Sequence, residues 1–191
     1  MRSSDHVAGS EVSRPSYNAG MQLSAPFNLR LWVDQNRHLL KPPVGNKLLF
    51  QDSEFIVMAV GGPNSRKDFH HDPGEELFFQ LEGNIVLKVV EDGRISDVPI
   101  REGEVFLLPP EVPHSPQRPA NTVGIVVERR RGPDELDGFS WYCEKCGQRL
   151  YLERVAVRNI ETELPAIFER FYSSVQHRRC GACGAVMAAP T

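Results

Sequence analysis

Between Arg66 and Gly83 the sequence RKDFHHDPGEELFFQLEG gathers His70, His71, Asp72, Glu75 and Glu76 around a Pro73-Gly74 turn, with the apolar run Leu77, Phe78, Phe79 behind them. Further on, PPEVPHSPQR adds His114. Two imidazoles and one carboxylate brought together in a rigid β framework, with coordination positions left open, are the ligand set of non-haem Fe(II) oxygenases. His70, Glu76 and His114 are the expected set. Successive side chains of a strand face opposite sides, so His70 and His71 cannot both look inward unless the strand bulges, and one of them faces away. A second group of ligands comes as Cys143-x-x-Cys146 and Cys180-x-x-Cys183, with Gly147 and Gly184 following. Glycine there lets the backbone turn tightly enough for amide groups to approach the thiolates. Four thiolates around one ion form a closed structural site for zinc or a single iron. A redox CxxC is the competing reading, but such pairs sit in a βαβ setting that this segment lacks.

Residues 47–130 must supply the framework. Lys47 to Phe50, Phe55 to Val60, Glu76 to Leu81, Ile85 to Val90, Ile95 to Ile100, Glu104 to Leu108 and Val123 to Glu128 are short runs rich in branched and aromatic residues. They are separated by Gly61-Gly62-Pro63, Glu82-Gly83-Asn84, Asp92-Gly93, Glu102-Gly103 and a proline-rich stretch over 109–119. Strands at this spacing argue an all-β sandwich or barrel, and a jelly roll with the metal inside it is the natural architecture. Asp92-Gly93 is the best single hairpin signal. Short helices flank the barrel. Asn28 caps one whose stripe is Leu29, Trp32 and Val33; the other runs from Glu163 to Val175, with Pro165 near its first turn. The expected organisation is a flexible extension over 1–20, a barrel over 21–132, and a segment over 133–191 that carries the cysteine site packed on the barrel. Met21 is a possible alternative start.

A chain of 191 residues can bury a full core without disulfides. Its 22 basic and 25 acidic residues are well mixed and leave a net charge of -3, which gives no field for nucleic acid or an anionic membrane. No apolar run approaches the roughly 20 residues that span a bilayer, and the amino terminus lacks the apolar core of a signal peptide, so a cytoplasmic protein is expected. Arg66 precedes His70 by one strand's reach, Arg118 follows His114 in the same way, and Glu128 ends its strand ahead of Arg129, Arg130 and Arg131. Arginine beside an oxygenase iron commonly holds a carboxylate, so the substrate should be an acid. Arg129 to Arg131 are expected to face water.

The spacings His70-x-Asp72-x-x-x-Glu76-(x)6-Gly83 and Gly103-Glu104-(x)4-Pro109-(x)4-His114 resemble the two motifs of the cupin superfamily. The fuller set is Asn46, Asn64-x-Arg66-x-x-x-His70, Leu108-Pro109-x-x-x-Pro113-His114-Ser115-Pro116-x-Arg118, Val127-Glu128-Arg129 and the paired CxxCG units. It resembles the 3-hydroxyanthranilate 3,4-dioxygenase family, in the bacterial form with a rubredoxin-like second metal site, over about residues 21–188. The resemblance implies Fe(II) on His70, Glu76 and His114, and Fe or Zn on Cys143, Cys146, Cys180 and Cys183. It implies opening of the 3-hydroxyanthranilate ring by O2 to 2-amino-3-carboxymuconate semialdehyde, the precursor of quinolinate, and a homodimer. It further implies that Arg118 pairs with the substrate carboxylate, Glu128 bonds near the same end, Arg66 sits on the O2 side, Asn46 and Glu76 line the substrate pocket, and Asp72 orients a ligand histidine. Two other classes stay open. A metal-dependent cupin isomerase would use the same triad on a sugar or sugar phosphate without consuming O2, and a binding module would hold an aromatic acid without turning it over.

Overall fold

Short runs of branched and aromatic residues, broken by glycine and proline, form eleven strands among the described residues of the computed structural model. The described residues are 25–189 except 43, 44, 52, 65, 158 and 159, so the expected extension over 1–20 and the alternative start at Met21 lie outside them. In chain order the elements are α1 (Leu29–Asn36), a 3-10 turn (Arg37–Leu40), β1 (Asn46–Leu48), β2 (Phe55–Gly61), β3 (Asp68–His71), β4 (Glu76–Glu82), β5 (Ile85–Glu91), β6 (Arg94–Ile100), β7 (Val105–Leu108), β8 (His114–Gln117), β9 (Val123–Arg129), β10 (Asp137–Tyr142), β11 (Arg149–Val155), α2 (Ile160–Tyr172) and α3 (Val175–Arg178). The strands make a five-stranded sheet, β1-β2-β9-β4-β7, and a six-stranded sheet, β11-β10-β3-β8-β5-β6. Neighbours within each run antiparallel. No helix of the described residues is long and apolar enough to cross a membrane.

The main core lies between the sheets. Met58, Phe78, Leu108 and Val126 come from one and Ile85, Leu87, Val89 and Ile100 from the other. In β5 the alternation of buried and half-buried residues sends Ile85, Leu87 and Val89 to this core. The outer face of the five-stranded sheet is covered by α1 and the 3-10 turn after it, from which Val33 and Leu40 pack with Ala59, Leu81, Val123 and Ile125. Asn28 caps α1 by accepting the Leu31 N–H at 3.0 Å. A third cluster joins β10 to α2 through Phe139, Trp141, Ile167, Phe171 and Met187. There Trp141 stacks on Phe171 with centroids 4.2 Å apart.

Seven strands fall on the expected runs, and four do not. β3 (DFHH) and β8 (HSPQ) carry histidines and a proline in place of branched residues, so local propensity does not announce them, and cross-strand pairing makes them strands instead. β10 and β11 lie beyond residue 132 and extend the six-stranded sheet through the β3–β10 ladder, which pairs Phe139 with His70 and Gly138 with His71. All six residues of β10 are buried, because α2 covers the face it shares with His70 while His71 and Phe69 pack on the other. The C-terminal helix begins at Ile160, earlier than expected, which places Pro165 inside it.

Trp141→Ala should lower unfolding free energy by about 3–5 kcal/mol, the usual range for emptying a buried aromatic site. Chemical denaturation checks this, and a loss under about 1 kcal/mol would mean that α2 is not seated on β10.

Candidate metal centre

His70 on β3 and His114 on β8 are paired directly across the ladder, and Glu76 opens β4 in the other sheet. One potential ligand atom from each lies within 4.8 Å of the others. The His114 Nδ1 is 3.0 Å from the Val112 carbonyl. A carbonyl can only accept, so Nδ1 carries the proton and a neutral ring presents a lone pair at Nε2. That Nε2 stands 2.7 Å from Glu76 Oε2, an oxygen that is buried and has no hydrogen-bond partner. A proton on Nε2 or a metal cation can reconcile the two atoms at that distance, and a metal ion shared with His70 would satisfy all three residues. The donor set therefore fits a metal ion. Burial opposes charge on both residues. The Glu76 carboxylate nevertheless holds the His114 pKa above its ordinary value, and His114 holds that of Glu76 below its own.

His70 is held from behind by Asp137, with Nε2 2.7 Å from Oδ1, and its ring stacks on Phe139. A neutral imidazole donating from Nε2 keeps its lone pair on Nδ1. The carboxylate that bonds His70 is Asp137, and no hydrogen bond joins Asp72 to either histidine among the described residues. Asp72 Oδ1 instead accepts the Gly74 N–H at 2.7 Å, and its Oδ2 is 2.9 Å from Arg131. His71 points to the opposite face and bonds Ser140 at 2.7 Å, with burial lowering its pKa to about 4.

The other expected site residues surround this centre. Glu128 on β9 is directly opposite Glu76 and is 3% exposed. Burial and then the Glu76 charge push its pKa up to about 8, against the pull of Arg131. Arg118 is also 3% exposed; its NH1 donates to Gln80 Oε1 at 3.3 Å while its Nε has no partner, and burial draws its pKa down to about 10. Gln80 is fixed because its Nε2 donates to the Glu82 and Val123 carbonyls. Arg66 grips the buried Asp68 with its guanidinium, close enough to Glu76 and Glu128 for its charge to be felt there. Asn46 pairs with Val60, which places it on the barrel-facing side of β1, and among the described residues no hydrogen bond joins it to the triad.

Arg129 and Arg130 are exposed as expected, but Arg131 does not face water. Its side chain is 9% exposed because three buried carboxylates converge on it: Asp72, Glu128 at 2.7 Å and Asp137 at 2.6 Å. Sequence reasoning missed Arg131, Asp137 and Gln80. Asp68, the first residue of β3 and two residues after Arg66, is the partner that the local spacing of opposite charges could have suggested.

The four cysteines are free and gather at the C-terminal end of β10. Sγ atoms of Cys143 and Cys183, and of Cys146 and Cys180, are 3.6 Å apart, and all four lie within 4.8 Å. The two knuckles repeat one geometry: Gly147 and Gly184 share φ +74 and donate to the carbonyls of Cys143 and Cys180 at 2.8 and 2.9 Å. Backbone N–H groups lower the Cys180 pKa to about 7, whereas Cys146, despite a similar contact, is pushed up to about 12 by the neighbouring sulfurs. Such thiols cannot all ionise together without a cation among them.

The family model described as 3-hydroxyanthranilic acid dioxygenase matches residues 21–172. A 3-hydroxyanthranilate 3,4-dioxygenase of Xanthomonas euvesicatoria pv. vesicatoria is 56% identical over 168 residues, covering 88% of this chain and 95% of that one. A protein of the same name from Paraburkholderia phytofirmans is 53% identical over 162 residues, covering 84% and 93%. Among solved structures, a cupin-2 domain containing protein from Shewanella frigidimarina is 15% identical with TM-score 0.43, covering 51% of this chain and 91% of its own.

Metal analysis of two variants tests the separation of the centres. His114→Ala should lose the barrel metal and keep the ion on the cysteines. Cys180→Ser should do the reverse and lower the melting temperature, and parallel loss of both ions in either variant would contradict two independent sites.

Proposed function

The chain belongs to the 3-hydroxyanthranilic acid dioxygenase family, and from that membership we propose that it opens the ring of 3-hydroxyanthranilate with O2, giving 2-amino-3-carboxymuconate semialdehyde. The observation that carries the choice of substrate is Arg118, a buried guanidinium with an unpartnered Nε whose charge interacts with Glu76. A buried cation with a free donor calls for an anion, and the planar fork suits a carboxylate.

Fe(II) on His70, Glu76 and His114 would supply the Lewis-acid and one-electron chemistry through which O2 reacts with an aromatic ring. The protein's own contribution is placement. Arg118 fixes the acid end of the substrate, and Glu128 accepts a hydrogen bond near it. Arg66, held by Asp68, places positive charge on the remaining side, where negative charge develops as oxygen is reduced. Phe78, packed edge-on to His114, and the apolar core behind it keep water from the reacting atoms. Asn46 completes the rim. The cysteine site serves structure, with zinc or iron equally suited to four thiolates. Free cysteines are in keeping with a cytoplasmic enzyme. Phe55, Val105 and Leu107, exposed on the five-stranded sheet, are in keeping with a homodimer.

Oxygen uptake by protein loaded anaerobically with Fe(II) tests the reaction. Adding 3-hydroxyanthranilate should consume O2 in equal amount and produce the semialdehyde spectrum, followed by slow closure to quinolinate. Iron-loaded protein that takes up no O2 would remove this reading and bring the isomerase forward. A second test concerns Arg118. An added Cβ at Gly124 would stand 2.8 Å from Gln80 Oε1 and 2.9 Å from Arg118 NH1. The same Cβ would lie 3.2 Å from the Phe79 carbonyl, so Gly124→Ala should displace the guanidinium, lower kcat/KM by about 10- to 100-fold and cost about 1–3 kcal/mol of stability. Unchanged kinetics would deny Arg118 its role.

A further inference from the structure

We infer that Arg131 is a positioning residue that serves both ends of the site, holding the substrate-facing Glu128 and, through Asp137, the metal-ligand candidate His70. This rests on the dioxygenase reading above. Arg131 lies in the connection between β9 and β10, and its guanidinium spreads over three carboxylates that come from different parts of the chain. NH1 donates to Glu128 at 2.7 Å; NH2 donates to Asp137 at 2.6 Å, supported by Nε at 3.1 Å, and forms an ion pair at 2.9 Å with Asp72 Oδ2, which accepts no hydrogen bond. NH1 also donates to the Arg129 carbonyl at 3.2 Å, which fixes the turn itself. Each carboxylate leads to a different part of the centre. Glu128 is opposite Glu76 on the sheet, Asp137 backs His70, and Asp72, tied to the Gly74 N–H, shapes the turn that delivers Glu76.

The arrangement needs a fork and not merely a charge. Asp72, Glu76 and Glu128 each place a carboxylate oxygen within 4.8 Å of the others, so they repel unless a cation is shared among them. Arginine's planar set of five N–H donors can bond several oxygens in fixed directions, whereas an ammonium is a point charge that must choose. Without the fork Glu128 is free to turn from the substrate, and Asp137 loses the anchor that holds it against His70.

Arg131→Lys, which keeps the charge and removes the fork, tests this. Fe(II) affinity of the barrel, measured by chelator competition with the cysteine site loaded, should fall by about 10-fold or more, and the KM for 3-hydroxyanthranilate should rise in the iron-saturated enzyme. Melting temperature and cysteine-site metal should hold. The two arms separate in partner variants: Asp137→Asn should weaken iron alone, and Glu128→Gln should raise KM alone. Should Arg131→Lys misfold, the charge-balanced Arg131→Gln/Asp72→Asn double variant should fold and still show both defects. An unchanged iron affinity or an unchanged KM in the folded variant overturns the inference, as does parallel loss of both metals with a lower melting temperature. If the wild-type protein turns nothing over, the dioxygenase reading fails, yet the iron-affinity arm still decides whether Arg131 supports His70.

Discussion

Charge inside this barrel has to be neutralised without water, and the rest of the structure follows from that requirement. Asp72, Glu76, Glu128 and Asp137 are each at most 5% exposed. An isolated buried carboxylate is tolerated only when paired and hydrogen-bonded, and stripping away one partner of such a pair typically costs about 3–5 kcal/mol. The chain meets the requirement with guanidinium charge and with imidazole contacts drawn from several strands. His114 faces Glu76, His70 faces Asp137, and Arg131 serves three acids together.

The seam between the two sheets is where these partners can meet. One sheet contributes Glu76 and Glu128 on neighbouring strands, and the other contributes His70, His114 and Asp137. Antiparallel register fixes each pair, since a slip of one residue would turn every one of these side chains to the opposite face. The apolar core that fills the remaining space, Phe78 and Val126 against Leu87 and Val89, holds that register. Chemistry and packing thus use alternate stretches of the same strands: Glu76 and Phe78 lie on one face of β4, two residues apart.

Where ligand chemistry leaves a short-range pattern, the sequence could be read. His70, Glu76 and His114 stand at motif spacing, the cysteines come as paired CxxCG units, and the apolar runs of β2, β4, β5 and β9 announce themselves. β3 and β8 escape because they carry the candidate ligands, and histidine beside proline has little strand preference of its own. Arg131 and Asp137 escape for a different reason. Three consecutive arginines at a strand end look alike in sequence, and only the path of the turn into β10 decides that Arg129 reaches Glu135 at the surface while Arg131 turns inward. Asp72 and Asp137 are likewise indistinguishable as partners for a histidine until the β3–β10 ladder sets Asp137 beside His70.

That ladder also sets an order in time. The chain is made from its amino end, and His70 and Asp137 are separated by 67 residues. At the usual synthesis rate of about 5–20 residues per second, His70 waits roughly 3–13 s for the carboxylate that holds it. His114 follows His70 by 44 residues, so both histidines and Glu76 are present only for the last 23 residues of that interval, before β10 can pair with β3. Arrival of β10, followed by the second cysteine pair that closes the knuckle beyond it, is the event that both seals the sheet and completes the setting for the ion.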